Sequence, residues 1–156
     1  MTEESLFTIY IDGDAFPNPL KRILLSAINR LELTTIAISN KPITIGPSTH
    51  IQYLIVGAGA DQADDRIVEL VSEEDLVITS DIPLADRIIT QNAYVIDHRG
   101  HVLDDTNIKG ALAMRNLMQS LRDSGETTKG PDPFGPKDVE RFANQLNRFL
   151  TKRIRQ

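Results

Sequence analysis

Five short aliphatic runs, each apolar on both faces, constrain this chain more than any other feature: Leu6–Ile11, Thr34–Ile38, Ile51–Val56, Leu76–Thr79 and Ala93–Ile96. A strand with one wet face alternates apolar and polar residues. These do not alternate, so they read as strands of a parallel sheet covered by helices on both sides. The segments between them carry helical periodicity. Pro17 and Pro19 open a helix to about Leu31, with Leu20, Ile23, Leu24, Ala27, Ile28 and Leu31 recurring at three and four. Asp61 stands at the N-cap position of a helix to about Val71, with Ile67, Leu70 and Val71 on one face. Asp81 caps another, whose Pro83 fits the first turn and whose apolar face holds Leu84, Ala85, Ile88 and Ile89.

After the fifth run, Asp97–Gly100 turns the chain into a helix over about 106–123, bearing Leu112, Leu117, Met118 and Leu121. Met114 and Met118 lie one turn apart and read as core. Residues 124–136 are rich in Gly, Pro and Thr and read as a loop, and 137–154 form a last helix with Phe142, Leu146, Phe149 and Leu150 on one stripe. The expectation is a single domain over 1–156: a three-layer α/β sandwich with a five-stranded, mostly parallel sheet and a long C-terminal helix packed against it.

Composition removes several chemistries. There is no cysteine among the 156 residues, so disulfide frameworks, thiolate metal sites and cysteine nucleophiles are excluded. No run approaches the roughly 18 apolar residues of a membrane span. The acidic start, Met1-Thr2-Glu3-Glu4-Ser5, lacks the basic region of a signal peptide, so a soluble cytoplasmic protein is expected. The net charge is −5, but residues 137–156 carry six basic and two acidic side chains, a local +4 that leaves −9 for the rest. An acidic body with a basic tail hints at a polyanionic partner, to which Lys152, Arg153 and Arg155 would contribute; a solvated helix face is the plainer reading.

The acids fall where a site is expected. Open parallel sheets bind ligands beyond the carboxyl ends of their strands. Asp12 and Asp14 follow the first run, Asp61, Asp64 and Asp65 the third, and Asp81 the fourth, with Asp86 a turn further on. On an undistorted helix Asp61 and Asp65 share a face. Asp61 and Asp81 are also explained as helix caps, Asp14 as a cap or turn residue and Asp64 as a solvated one. Asp12, ending an apolar strand, needs a partner in any reading. Carboxylates crowded on one rim repel each other unless a cation intervenes, and oxygen ligands favour a hard ion, Mg²⁺ or Mn²⁺.

Several segments together resemble the YaiI/YqxD family of bacterial proteins: Ile11-Asp12-Gly13-Asp14-Ala15, Gln62-Ala63-Asp64-Asp65-Arg66-Ile67-Val68, Leu76 through Ala85 with Thr79-Ser80-Asp81, Ala113-Met114-Arg115, and Gly130-Pro131-Asp132-Pro133-Phe134. The resemblance spans nearly the whole chain. It implies a PIN-like fold, a fold whose members are typically metal-dependent ribonucleases, and no established activity for the family itself. By position it implies Asp12 and Asp14 as the first acidic group, Asp64 or Asp65 as the helix acid, and Thr79-Ser80-Asp81 as the hydroxyl-x-acid motif. The chain departs from the pattern at Gly13 and Phe16, where members often carry alanine and cysteine, so no thiol role is expected there.

Three functions follow for testing. In the first, Asp12, Asp14, Asp64, Asp65 and Asp81 hold Mg²⁺ or Mn²⁺ for phosphodiester hydrolysis, on RNA, with Thr79 or Ser80 orienting an acid or a water. Arg66, Arg87 and Arg115 are candidate phosphate ligands by proximity in sequence alone. In the second, Asp12-x-Asp14 is the nucleophile and acid pair of a phosphatase of haloacid-dehalogenase type, with Ile38-Ser39-Asn40 as its second motif. Ala15 departs from that pattern, and no lysine occurs between Pro42 and Ala60, leaving only Lys41 near. The third is a non-enzymatic RNA- or protein-binding module of the same fold. Two weaker patterns complete the reading. Gly57-x-Gly59 lacks the third glycine of a dinucleotide fingerprint, since Gln62 takes that place, and His98-x-x-His101 has metal spacing but no third ligand nearby.

Overall fold

The computed structural model describes residues 7–59 and 61–154. The aliphatic runs form strands β1 (Ile9–Asp12), β2 (Thr35–Ser39), β3 (Ile51–Ile55), β4 (Leu76–Ile78) and β5 (Tyr94–Ile96). Between and after them come helices α1 (Asn18–Leu31), α2 (Gln62–Leu70), α3 (Ile82–Thr90), α4 (Ile108–Asp123) and α5 (Pro136–Ile154). The sheet runs β3-β2-β1-β4-β5-β6, all parallel except β6 (Val102–Leu103), which pairs antiparallel with β5. β6 is a sixth strand where five were expected. Two residues are too short to show periodicity, and what makes the strand is the Asp97–Gly100 turn. There Asp97 N–H donates to the His101 carbonyl, and Gly100 N–H to the Asp97 carbonyl.

Side-chain alternation divides the core into two layers. Ile9 and Ile11 of β1 face α1 and α5, packing with Leu20, Leu24, Ile28, Phe142, Leu146 and Leu150. Tyr10 faces the other way, toward α2 and α3, with Ile67, Leu84 and Ile88. Its hydroxyl donates to the Leu70 carbonyl, tying β1 to the end of α2. α4 lies outside, against α3. Only Ile108 of that helix is buried, while Met114 and Leu117 are exposed, which corrects the placement of Met114 in the core. Among the described residues no helix is long and apolar enough to cross a membrane.

The C-terminal helix docks through more than its apolar stripe. Asp138, in its first turn, is buried; its carboxylate accepts from Gly135 N–H at 2.9 Å and from Arg99 and Arg141 guanidinium N–H groups at 3.1 Å each. The Gly135 hydrogen bond, and then the two arginines, hold its pKa below the usual carboxylate value. Gly100, with φ of 86°, meets the same helix: a Cβ there would lie 2.4 Å from the Arg141 carbonyl carbon. At the far end the Arg153 guanidinium stands over the rings of Phe7, Tyr94 and Phe149 at 5.1, 5.3 and 5.7 Å. That cation packs the helix down rather than standing free for a polyanion. Lys152 is exposed, and Arg155 lies outside the described residues.

Asp138→Asn should therefore lower the melting temperature at pH 7 by a few degrees. A carboxylate whose folded pKa is depressed stabilises above its unfolded value, near 3.9, and loses that contribution as pH falls through the folded one. The gap between wild type and variant should close below about pH 4 in a thermal-unfolding series; equal melting at pH 7 would make Asp138 a solvated surface acid.

Candidate functional site

β1 sits at the switch point of the sheet: the chain leaves it toward β2 and β3 on one side, then returns to build β4 and β5 on the other. Loops from the two sides diverge there, opening a crevice at the strand ends. Asp12 is the last residue of β1 and points to the α2/α3 face, as Tyr10 does. It is 8% exposed. The Thr79 hydroxyl, just beyond β4, donates to its Oδ2 at 2.8 Å and accepts from Asp81 N–H at 3.0 Å. Asp81 Oδ1 in turn accepts from Leu84 N–H at 3.0 Å, capping α3. The segment Thr79-Ser80-Asp81 is thus a chain of hydrogen bonds from the buried acid to the helix start. Ser80 turns to the opposite face, where its hydroxyl oxygen accepts from His98 N–H.

α2 supplies the third acid. Asp64 lies close enough to Asp81 to share a hydrogen bond, and the charges of Asp81, Asp12 and Asp61 act on it. Burial first, and those neighbours second, push its pKa up to about 7. Asp12 rises to about 6, chiefly by burial and then by the charges of Asp14 and Asp81, against the lowering pull of the Thr79 hydrogen bond. Asp61 has a left-handed backbone, φ 65°, and makes no side-chain cap bond, so it contributes charge rather than a cap. Asp14 lies beside this group, and its Oδ1 accepts from Asn40 N–H at 3.1 Å, fastening the β1 turn to the end of β2.

The remaining candidates go elsewhere. Asp65 is exposed and bonds to Arg87 at 2.9 Å, linking α2 to α3. Arg66 pairs with Glu69 on its own helix, Asp86 with Lys109, and Arg115 hydrogen-bonds its neighbour Asn116. None of the three arginines contacts Asp12, Asp64 or Asp81. The two histidines also part: His101 bonds to Asp97, whereas His98 is buried edge-on against Phe16, its Nε2 without a partner and its pKa lowered by burial. The sequence offered both Asp64 and Asp65 as the helix acid, and Asp64 is the one beside Asp81. The signal for it was its place three residues before the buried Ile67, which puts both on one side of α2.

The donors gathered here are oxygens only, the chemistry of a hard divalent cation. Among the described residues, however, no group of three or more His, Asp or Glu side chains stands in an arrangement that would hold a metal ion as it is. One oxygen of Asp12 is committed to Thr79 and one of Asp81 to the cap.

Residues 10–152 match the model of a family described as "Uncharacterized BCR, YaiI/YqxD family". The chain is 62% identical over 146 residues to a UPF0178 protein of Sulfurimonas denitrificans, covering 94% of this chain and 97% of that one. It is 58% identical over 145 residues to a UPF0178 protein of a Nitratiruptor species, covering 93% and 95%. No solved structure matches.

Raised carboxyl pKa values reverse the usual acid response. Protons bound to Asp12 and Asp64 in the folded state favour folding below the unfolded pKa, and that contribution is lost as pH climbs through about 6 and 7. For buried Asp12 the loss is at most roughly 3 kcal/mol. In EDTA, Asp64→Asn should melt a few degrees higher than wild type at pH 8, because its amide donates to Asp81 without charge. The two should converge at pH 4. A variant that melts lower at pH 8 would show that Asp64 is not repelled in the fold.

Proposed function

This chain belongs to the YaiI/YqxD family, and from its acidic crevice we propose that it is a divalent-metal-dependent nuclease acting on RNA. One observation carries the reading: Asp12, Asp64 and Asp81 reach the switch point from three separate elements, and two of them are pushed toward protonation by burial and mutual repulsion. A fold gains nothing from such a group on its own, whereas a cation there relieves it. Mg²⁺ or Mn²⁺, when bound, would supply positive charge to a phosphoryl group under attack and lower the pKa of a water.

The chain's own residues would do the rest. Thr79 fixes the orientation of Asp12 by donating to its Oδ2. Asp81 is anchored through Oδ1 to the start of α3, so its second oxygen points from a fixed base. Asp64, pushed up to about 7 by burial and its acidic neighbours, would give up its proton to hold a cation as a carboxylate. Asp14 holds the neighbouring loop in place through Asn40.

Mn²⁺ should raise the melting temperature of the wild type, by an amount that corresponds to about 2.7 kcal/mol at a hundredfold excess over Kd. Asp12→Asn and Asp64→Asn should lose most of that gain and, in Mn²⁺, most cleavage of single-stranded RNA. The same Mn²⁺ response in both variants and wild type would sink the proposal. RNA binding without turnover would make the chain a binding module, and a phosphoryl group trapped on Asp12 would make it a phosphatase.

A further inference from the structure

Beside the acidic crevice lies a cavity of about 250 Å³ with the opposite character, lined by Gly13, Asp14, Ala15 and Phe16 of the β1 turn, Asn18 and Lys21 of α1, and Lys41 and Ile43 after β2. The two lysines are 20 positions apart in the chain and line the same cavity, Lys41 being placed there by a short relay. Asp14 accepts from Asn40 N–H, and the Ser39 hydroxyl donates to the Lys41 carbonyl, so the backbone at Lys41 is held against the β1 turn. Gly13 permits that approach: a Cβ there would lie 2.5 Å from Ile43 Cδ1 and 3.0 Å from Ser39 Cβ.

Neither lysine pairs with a carboxylate among the described residues, although the chain carries 22 acids against 17 basic side chains. The arginines nominated from the sequence do not share this state, since each has a protein partner. Asp14 is the only acid on the cavity wall, so the cavity is net positive while the crevice next to it is negative. Two lysines without carboxylate partners among the described residues, on the wall of one cavity, suit a phosphate group rather than a cation. Asn18 offers a neutral donor, and Phe16 and Ile43 offer apolar wall.

We propose that Lys21 and Lys41 form a phosphate subsite that holds a phosphoryl group of a nucleic-acid strand whose neighbouring phosphodiester lies over Asp12, Asp64 and Asp81. The inference rests on the nuclease reading for its second half alone; the anion site stands on its own residues. The phosphoryl group is either a strand's terminal 5′-phosphate or an internal phosphodiester. Both are met by the same two charges.

Lys21→Gln/Lys41→Gln is tested against wild type by titration calorimetry with two probes: adenosine 5′-monophosphate in Mn²⁺, and a short 5′-hydroxyl oligoribonucleotide in EDTA. The double variant should bind at least one of them about tenfold more weakly. For the oligonucleotide, the slope of log affinity against log salt should fall by about 0.7 for the one phosphate released. Loss confined to the mononucleotide assigns the terminal phosphate, and loss with the oligonucleotide assigns an internal one. Mn²⁺ stabilisation, measured alongside, should be that of wild type. Unchanged affinity for both probes, or no binding of either by wild type, overturns the subsite. A lysine-dependent affinity in a protein that does not respond to Mn²⁺ overturns the nuclease reading and leaves the anion site standing. Should the double variant melt early, Lys41→Gln alone, at an exposed position, carries the same comparison.

Discussion

The hydrogen bond from the Thr79 hydroxyl to Asp12 joins the central strand to its neighbour at the point where the sheet changes direction. A carboxylate that is 8% exposed at the end of an apolar strand would otherwise be an unsatisfied group in a poor solvent for charge. The same hydroxyl accepts from Asp81 N–H, so its orientation is set from both sides. Through that one oxygen, the burial of Asp12, the start of α3 and the position of Asp81 become a single arrangement. Asp64 then enters a space where negative charge is already fixed, and burial first, with the charges of Asp81, Asp12 and Asp61 second, raises its affinity for protons.

The five parallel strands were legible because burial on both faces leaves an unbroken aliphatic run, a pattern neither a surface helix nor an exposed strand produces. Their order was not legible, since periodicity does not say which strand lies beside which. Asp12 and Asp81 were legible for a local reason: each stands at or just beyond the carboxyl end of an aliphatic run. The helix acid was left open between Asp64 and Asp65, since spacing alone does not say where the helix starts. The chain is left-handed at Asp61 and the helix starts at Gln62; Asp64 lies beside Asp81, and Asp65 finds Arg87.

The basic residues were the least legible part. Arg66, Arg87 and Arg115 are close in sequence to the acids, but long side chains on helices reach the nearest acceptor, and each has one within its own helix or the next. In the tail, Arg141 and Arg153 serve the docking of α5, one by donating to the Arg99 carbonyl and one on three aromatic rings. Lys21 and Lys41 share a cavity wall with Gly13 and Asp14, a placement that no spacing rule anticipates.

Gly100 bears on how the chain tolerates changes in length. With no side chain between them, the β5–β6 turn touches the backbone of α5 at Arg141 and Phe142, and Arg99 reaches Asp138 from the same turn. The helix is therefore indexed against the sheet by main-chain contact. The residues just before it belong to the same seat: the Asp132 carbonyl accepts from Arg99, whose guanidinium also stands over the Phe134 ring. Residues 127–131, without helix or strand, are the tether that leads from α4 to that seat. Insertions and deletions confined to the tether leave the seating of α5 intact, while a single methyl group at position 100 forces the helix to move.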